Sequence, residues 1–157
     1  MQRPQTPIFK RLIKKFNARG VRYLLIGRQA IVLHGAPLTS FDYDLWVSPQ
    51  SRSEAFSVLD AEGFEPSSSE RDKKPIVTFV RDITKIDVFI VSGFGRHLSF
   101  EECEGRADVL RDERERFFLR VASIDDLIRL KEFRGRPRPK DLEDIEYLKK
   151  LRRERNR

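Results

Sequence analysis

Cysteine is almost missing from this chain: Cys103 is the only one in 157 residues, so no internal disulfide can form and a reducing cytoplasm is the expected compartment. No apolar run approaches the ~20 residues of a membrane span, and the opening MQRPQTPIFKRL lacks the apolar core of a secretory signal. A protein with no membrane association is expected. Acidic residues are absent from positions 1–41, which carry eight Lys or Arg, whereas the remainder holds 24 basic against 25 acidic residues. The whole net charge of +7 therefore arises in the opening segment, and Asp42 is the first acid in the chain. A basic segment running into carboxylates suits a site that holds phosphates beside metal ions, and a pI of 9.8 suits a nucleic-acid partner. The same charge also serves plain solubility. There are no internal repeats, and the length fits a single domain, 1–157, that folds without staples.

What is present reads as alternating helices and strands. Ile8, Phe9, Leu12, Ile13 and Phe16 recur at helical spacing before Gly20. Tyr23 to Ile26 reads as a buried strand, Gly27 as a tight turn, and Gln29 to His34 as a short helix on which His34 is a packed or capping residue. A strand over YDLWV follows, then a helix from Ser48-Pro49 to Gly63 and a polar loop over 65–74. Residues 75–81 and 85–91 read as a hairpin. SGFGRH reads as a flexible loop, and RADVL and FFLRV as two more short strands. Ser123 with Asp126 reads as a capping box opening a helix that Gly135 stops. A last helix from about Pro139 is expected to bury Leu142, Ile145, Leu148 and Leu151, and the tail 149–157, KKLRRERNR, to be a solvated, fraying end or an RNA contact.

Two carboxylates in the strand FDYDLWV need a reason, because Asp is depleted in strands. Period 2 puts Asp42 and Asp44 on one face with Cα atoms roughly 6.5 to 7 Å apart, within reach of a shared hard cation. Taken alone, the pair also fits a turn-capping Asp42 after Ser40 and a solvated Asp44. Asp87 poses the same question, because it interrupts KIDVFIV on the face opposite Ile86, Val88 and Ile90 and would cost stability unless paired or coordinated.

The order of LLIGRQAIVLHG, FDYDLWV and KIDVFIV resembles the nucleotidyltransferase fold of the polymerase beta superfamily, in which a glycine turn and helix precede D-x-D and a third carboxylate lies on a neighbouring strand. ASIDDLIRLKEFRGRPRPKDLEDIEYL resembles the C-terminal signature of minimal bacterial nucleotidyltransferases related to AbiEii-type toxins. The resemblance covers about residues 20–148. It implies an α+β fold with a mixed sheet, flanking helices and a C-terminal helical pair. It implies that Asp42, Asp44 and Asp87 are the catalytic, metal-holding acids, and that Gly27, Arg28, Ser40, Lys131 and Lys140 lie where nucleotide phosphates bind. The family turn usually carries Gly-Ser or Gly-Gly where this chain has Gly27-Arg28, and an Arg and a Thr where it has Leu38 and Ser40.

Such a site moves a nucleoside monophosphate from an NTP to an acceptor hydroxyl, with two cations flanking an in-line displacement. Mg²⁺ is the expected cofactor, Mn²⁺ its alternative, because all ligands are hard oxygens. RNA, tRNA included, is the expected acceptor, and the resemblance implies a toxin with a cognate antitoxin as partner. Two rivals remain: a catalytically degraded member that binds nucleotide or RNA, and a protein-interaction module.

Overall fold

The structure is a computed structural model that describes residues 6–133 and 135–156. Arg3 of the basic segment and Arg157 of the tail lie outside the described residues. Helix α1 (Pro7–Arg19) starts where the Thr6 side chain accepts from Phe9 N and stops at Gly20, whose φ of 70° supplies a left-handed cap. Its buried stripe, Phe9, Leu12, Ile13 and Phe16, is the one the spacing predicts. Strand β1 (Tyr23–Ile26) is buried throughout, α2 (Gly27–Leu33) follows without a linker, and β2 (Tyr43–Val47) returns antiparallel to β1.

A 3-10 turn at Pro49–Ser51 leads into α3 (Arg52–Ala61). The polar 65–74 segment is more ordered than its composition predicts. It contributes a two-residue edge strand, β3 (Glu65–Pro66), and a 3-10 turn at Glu70–Asp72. The expected hairpin forms from β4 (Ile76–Arg81) and β5 (Thr84–Phe89). An unforeseen helix, α4 (Phe100–Arg106), then precedes β6 (Asp108–Asp112) and β7 (Phe117–Val121). It takes Arg106 from the segment read as a strand. Ser99 caps it by accepting from Glu102 N, and Phe100 and Cys103 anchor it in the core.

The C-terminal helical pair is α5 (Ile124–Glu132) and α6 (Pro139–Arg155). Ser123 caps α5 as expected, but the Asp126 carboxylate, rather than completing the box, is buried between Arg106 and Arg129. The inward stripe of α6 also differs from its apolar pattern. Leu142 is 52% exposed, while Asp141 and Asp144 are fully buried beside Ile145 and Leu148.

The strands form one mixed sheet in the order β3-β4-β5-β2-β1-β7-β6, with β2 parallel to β5, β1 parallel to β7, and the remaining pairs antiparallel. Tyr43 stacks on Phe9 with ring centroids 3.8 Å apart, which places α1 over one face. Alternation along β2 then turns Asp44 and Trp46 to the other face, that of α5 and the 93–106 segment.

Candidate active site

Register brings two of the three acids side by side. Asp44 is the Cα partner of Ile26 on β1 and of Asp87 on β5, so Asp44 and Asp87 stand on one face of adjacent parallel strands. Thr78, opposite Asp87 on β4, donates its hydroxyl to Asp87 Oδ1 at 2.6 Å and fixes that carboxylate. Asp42 lies just before β2 and is exposed. Its backbone carbonyl accepts from Ser40 Oγ at 3.3 Å, and the Ser40 carbonyl accepts from Gln29 Nε2 at 2.9 Å, which ties this loop to α2.

Burial pushes the Asp44 carboxyl up to about 6, and the charges of Asp87 and Asp42 add to the shift against the opposing pull of Lys131 and Lys140. All four residues therefore act on the same carboxylate. Gly27 is required here on two counts. Its φ is 71°, and a Cβ would collide with the Asp44 carboxylate. Backbone and acid are thus in direct contact at the strand-to-helix turn.

Lys131 is held at the edge of this cluster, its Nζ 3.2 Å from Asp141 Oδ1 and 3.1 Å from Asp144 Oδ2. Burial opposes the ionised form of Asp141, but hydrogen bonds from the Arg138 side chain and backbone and from Lys131 hold it below the usual carboxylate range. Lys140 is exposed at the start of α6. Arg28 does not point its charge at Asp44. Its Nη2 donates to Glu143 at 3.1 Å and its Nε lies 3.5 Å from Asp144 Oδ1, so it is engaged with α6. Sequence reasoning missed Asp141, Asp144 and Thr78. The first two could have been found as an i, i+3 pair continuing into Ile145 and Leu148 on one helical face.

A cavity of about 220 Å³ opens beside Asp44, Gly27 and Lys131. The hard oxygens of Asp44 and Asp87 are a donor set that fits a divalent cation. Among the described residues, no group of three or more His, Cys, Asp or Glu side chains is gathered to hold one.

No family model matches the sequence, and no curated protein matches it. Solved structures do. The lincosamide antibiotic adenylyltransferase LnuA, lincomycin-bound, aligns over 94% of this chain and 98% of its own, with 14% identity and a TM-score of 0.67. A Thermotoga maritima protein described as a nucleotidyltransferase aligns over 98% and 96%, with 15% identity and a TM-score of 0.65. ANT(2")-Ia in complex with adenylyl-2"-tobramycin aligns over 90% and 84%, with 15% identity and a TM-score of 0.63. The chain has the nucleotidyltransferase fold. Within that fold, β1, α2, β2 and β5 are the elements that gather Gly27, Asp44 and Asp87 at one place. No helix among the described residues is long and apolar enough to cross a membrane.

Proposed function

We propose that this protein is a metal-dependent nucleotidyltransferase that moves a nucleoside monophosphate from an NTP to an acceptor hydroxyl. The observation that carries the reading is the Asp44–Asp87 pair across β2 and β5, with Gly27 packed on Asp44 and Lys131 beside it. The acceptor oxygen forms a bond to the α-phosphorus, the bond from that phosphorus to the bridging oxygen of the β-phosphate breaks, and pyrophosphate departs. Asp87 takes the hydroxyl proton, its carboxylate oriented by Thr78. Lys131, which lines the cavity with Gly27 and Asp44, would offset phosphate charge as it shifts onto the leaving group. Asp44 and Asp87 would hold Mg²⁺ or Mn²⁺, which would supply charge neutralisation and a lower pKa for the attacking hydroxyl. Asp42, expected as the third ligand, is exposed before β2 and is not gathered with them.

RNA, including tRNA, is the acceptor we favour, supported by the net charge of +7. That charge also argues against a polycationic acceptor such as tobramycin, which ANT(2")-Ia carries in its adenylylated form. A toxin acting within a toxin–antitoxin pair is the setting in which we place the activity, on the C-terminal likeness to AbiEii-type proteins. The test is transfer of α-phosphate label from each NTP to RNA, lincomycin or tobramycin, with and without Mg²⁺. Asp44→Asn and Asp87→Asn should each abolish it. A second reading, a nucleotide- or RNA-binding protein without chemistry, is favoured by one observation: Arg28 replaces the small residue of the family turn and is committed to α6. Binding of NTP without label transfer to any acceptor would select it.

A further inference from the structure

Away from its polar mouth, the cavity beside Asp44 is walled by aromatic and aliphatic side chains, among them Phe89, Phe94 and Phe133. Phe94 lies edge-on to Trp46, with centroids 4.8 Å apart at 71°, and edge-on to Phe133, 6.0 Å apart at 72°. Trp46 is fully buried and its Nε1 donates to Val91 O at 2.8 Å, so the aromatic wall is fastened to the core. Phe133 ends this chain of rings and stays 53% exposed at the cavity rim. Gly95 supports it closely, for a Cβ there would stand 2.8 Å from Phe133 Cε2.

We propose that this cavity takes the flat heterocyclic base of the donor nucleotide, stacked on Phe133. The proposal rests on the nucleotidyltransferase reading and adds to it where the base lies and how it is recognised. Size is the first argument. About 220 Å³ is below the ~300–1,000 Å³ typical of drug-sized ligands and suits a one- or two-ring group. Position is the second. The cavity shares Gly27, Asp44 and Lys131 with the phosphate end of the site, so a group one sugar away from the phosphates falls within it. Asp87, the acid assigned to the acceptor hydroxyl, is not among its described lining residues. Chemistry is the third. Every base presents a π-face to a pre-set aromatic wall, while the polar side chains of the lining, Asp44 and Lys131, stand at the phosphate end. The base edge therefore meets few fixed donors or acceptors, and discrimination among the four bases should be slight.

Calorimetry on the full chain with Mg²⁺ tests this, using α,β-methylene nucleoside triphosphates, which cannot transfer, against inorganic tripolyphosphate. The nucleotides should bind about tenfold or more tightly than tripolyphosphate, with the four bases within a few-fold of one another. Phe133→Ala should remove about tenfold of nucleotide affinity and leave tripolyphosphate unchanged, and Phe133→Tyr should restore the loss. Equal binding of nucleotide and tripolyphosphate overturns the proposal while leaving the transferase reading intact. So does a Phe133→Ala variant that keeps nucleotide affinity and loses only acceptor binding. If neither ligand binds the wild-type chain, the transferase reading fails and the proposal fails with it.

Discussion

Asp44 and Asp87 face one another across the parallel β2–β5 ladder, and the charge of Asp87 adds to burial in raising the Asp44 carboxyl to about 6. A carboxyl with a raised folded pKa binds its proton more tightly in the native than in the unfolded chain. Its contribution to stability is therefore greatest below about pH 4 and is lost as pH rises toward 6. Two pKa units correspond to about 2–3 kcal/mol. Asp44→Asn should accordingly stabilise the metal-free protein by about 1–2 kcal/mol at pH 7. Urea unfolding of both proteins at pH 4.5 and 7 should show the difference shrinking at the lower pH. A less stable variant at pH 7 would mark Asp44 as structural.

Gly27→Ala introduces a Cβ where the Asp44 carboxylate lies and asks alanine to adopt a φ of 71°. The backbone cost alone is about 1–2 kcal/mol, and the collision adds to it. Combining it with Asp44→Ala should recover the collision part and leave the backbone part, a coupling that a double-mutant cycle of denaturant melts measures directly.

Arg28→Ala should act on stability rather than on nucleotide binding, because the guanidinium serves Glu143 and Asp144 on α6. Asp144 is fully buried and keeps Lys131 as a partner, so the loss should be about 1–3 kcal/mol, short of that for a wholly unpaired buried charge. Steady-state kinetics should show the KM for NTP changed by less than about twofold. A large rise in KM at unchanged stability would place Arg28 on the triphosphate instead.

The described part of the tail is solvated as expected, with most of its side chains exposed, but it stays helical to Arg155 rather than fraying. Arg155 Nη2 donates to His34 Nδ1 at 3.0 Å, which leaves His34 Nε2 to donate to Ala122 O at 2.8 Å from a neutral ring. Burial lowers the His34 pKa, with the Arg155 charge adding to the effect. The unfolded chain takes up a proton that the native ring refuses, so stability should fall as pH drops below about 6.5. With two histidines in the chain, NMR should show one titrating below that value. Deleting 149–157 would also remove these contacts, so the salt dependence of RNA binding should be probed with charge-removing variants at Lys149, Lys150 and Arg153. If these contact RNA, each should shallow the slope of log affinity against log salt by about one.

Most elements were legible because each side of the core carries its own period: α1 at 3.6, and β2 and β5 at 2. The acids stood out for the opposite reason, as charges in strands whose neighbours are apolar. Helix α4 was hidden because FEECEGR offers only two core residues, Phe100 and Cys103, and carries a glycine. The rotation of α6 was misjudged because Leu142 looks more buriable than Asp141 or Asp144. Lys131 on α5 and Arg28 on α2 reverse that preference by supplying partners to the acids, and no local pattern reveals partners that lie on other elements. Arg138, at the start of α6 itself, adds a local i, i+3 partner to Asp141. The aromatic wall was equally invisible, since Trp46, Phe94 and Phe133 meet only in three dimensions.

The parallel pairing of β2 with β5 also sets an order of assembly. Hairpins β4–β5 and β6–β7 close through short turns, whereas β2 and β5 align residues 43 positions apart, Asp44 with Asp87. Long-range pairings lose more chain entropy before any contact rewards them, and this one also brings two like charges together. The cleft should therefore be among the last parts of the molecule to form, with a charge-neutralising cation able to hasten that step. Partly folded chains would then carry ordered hairpins without a working site.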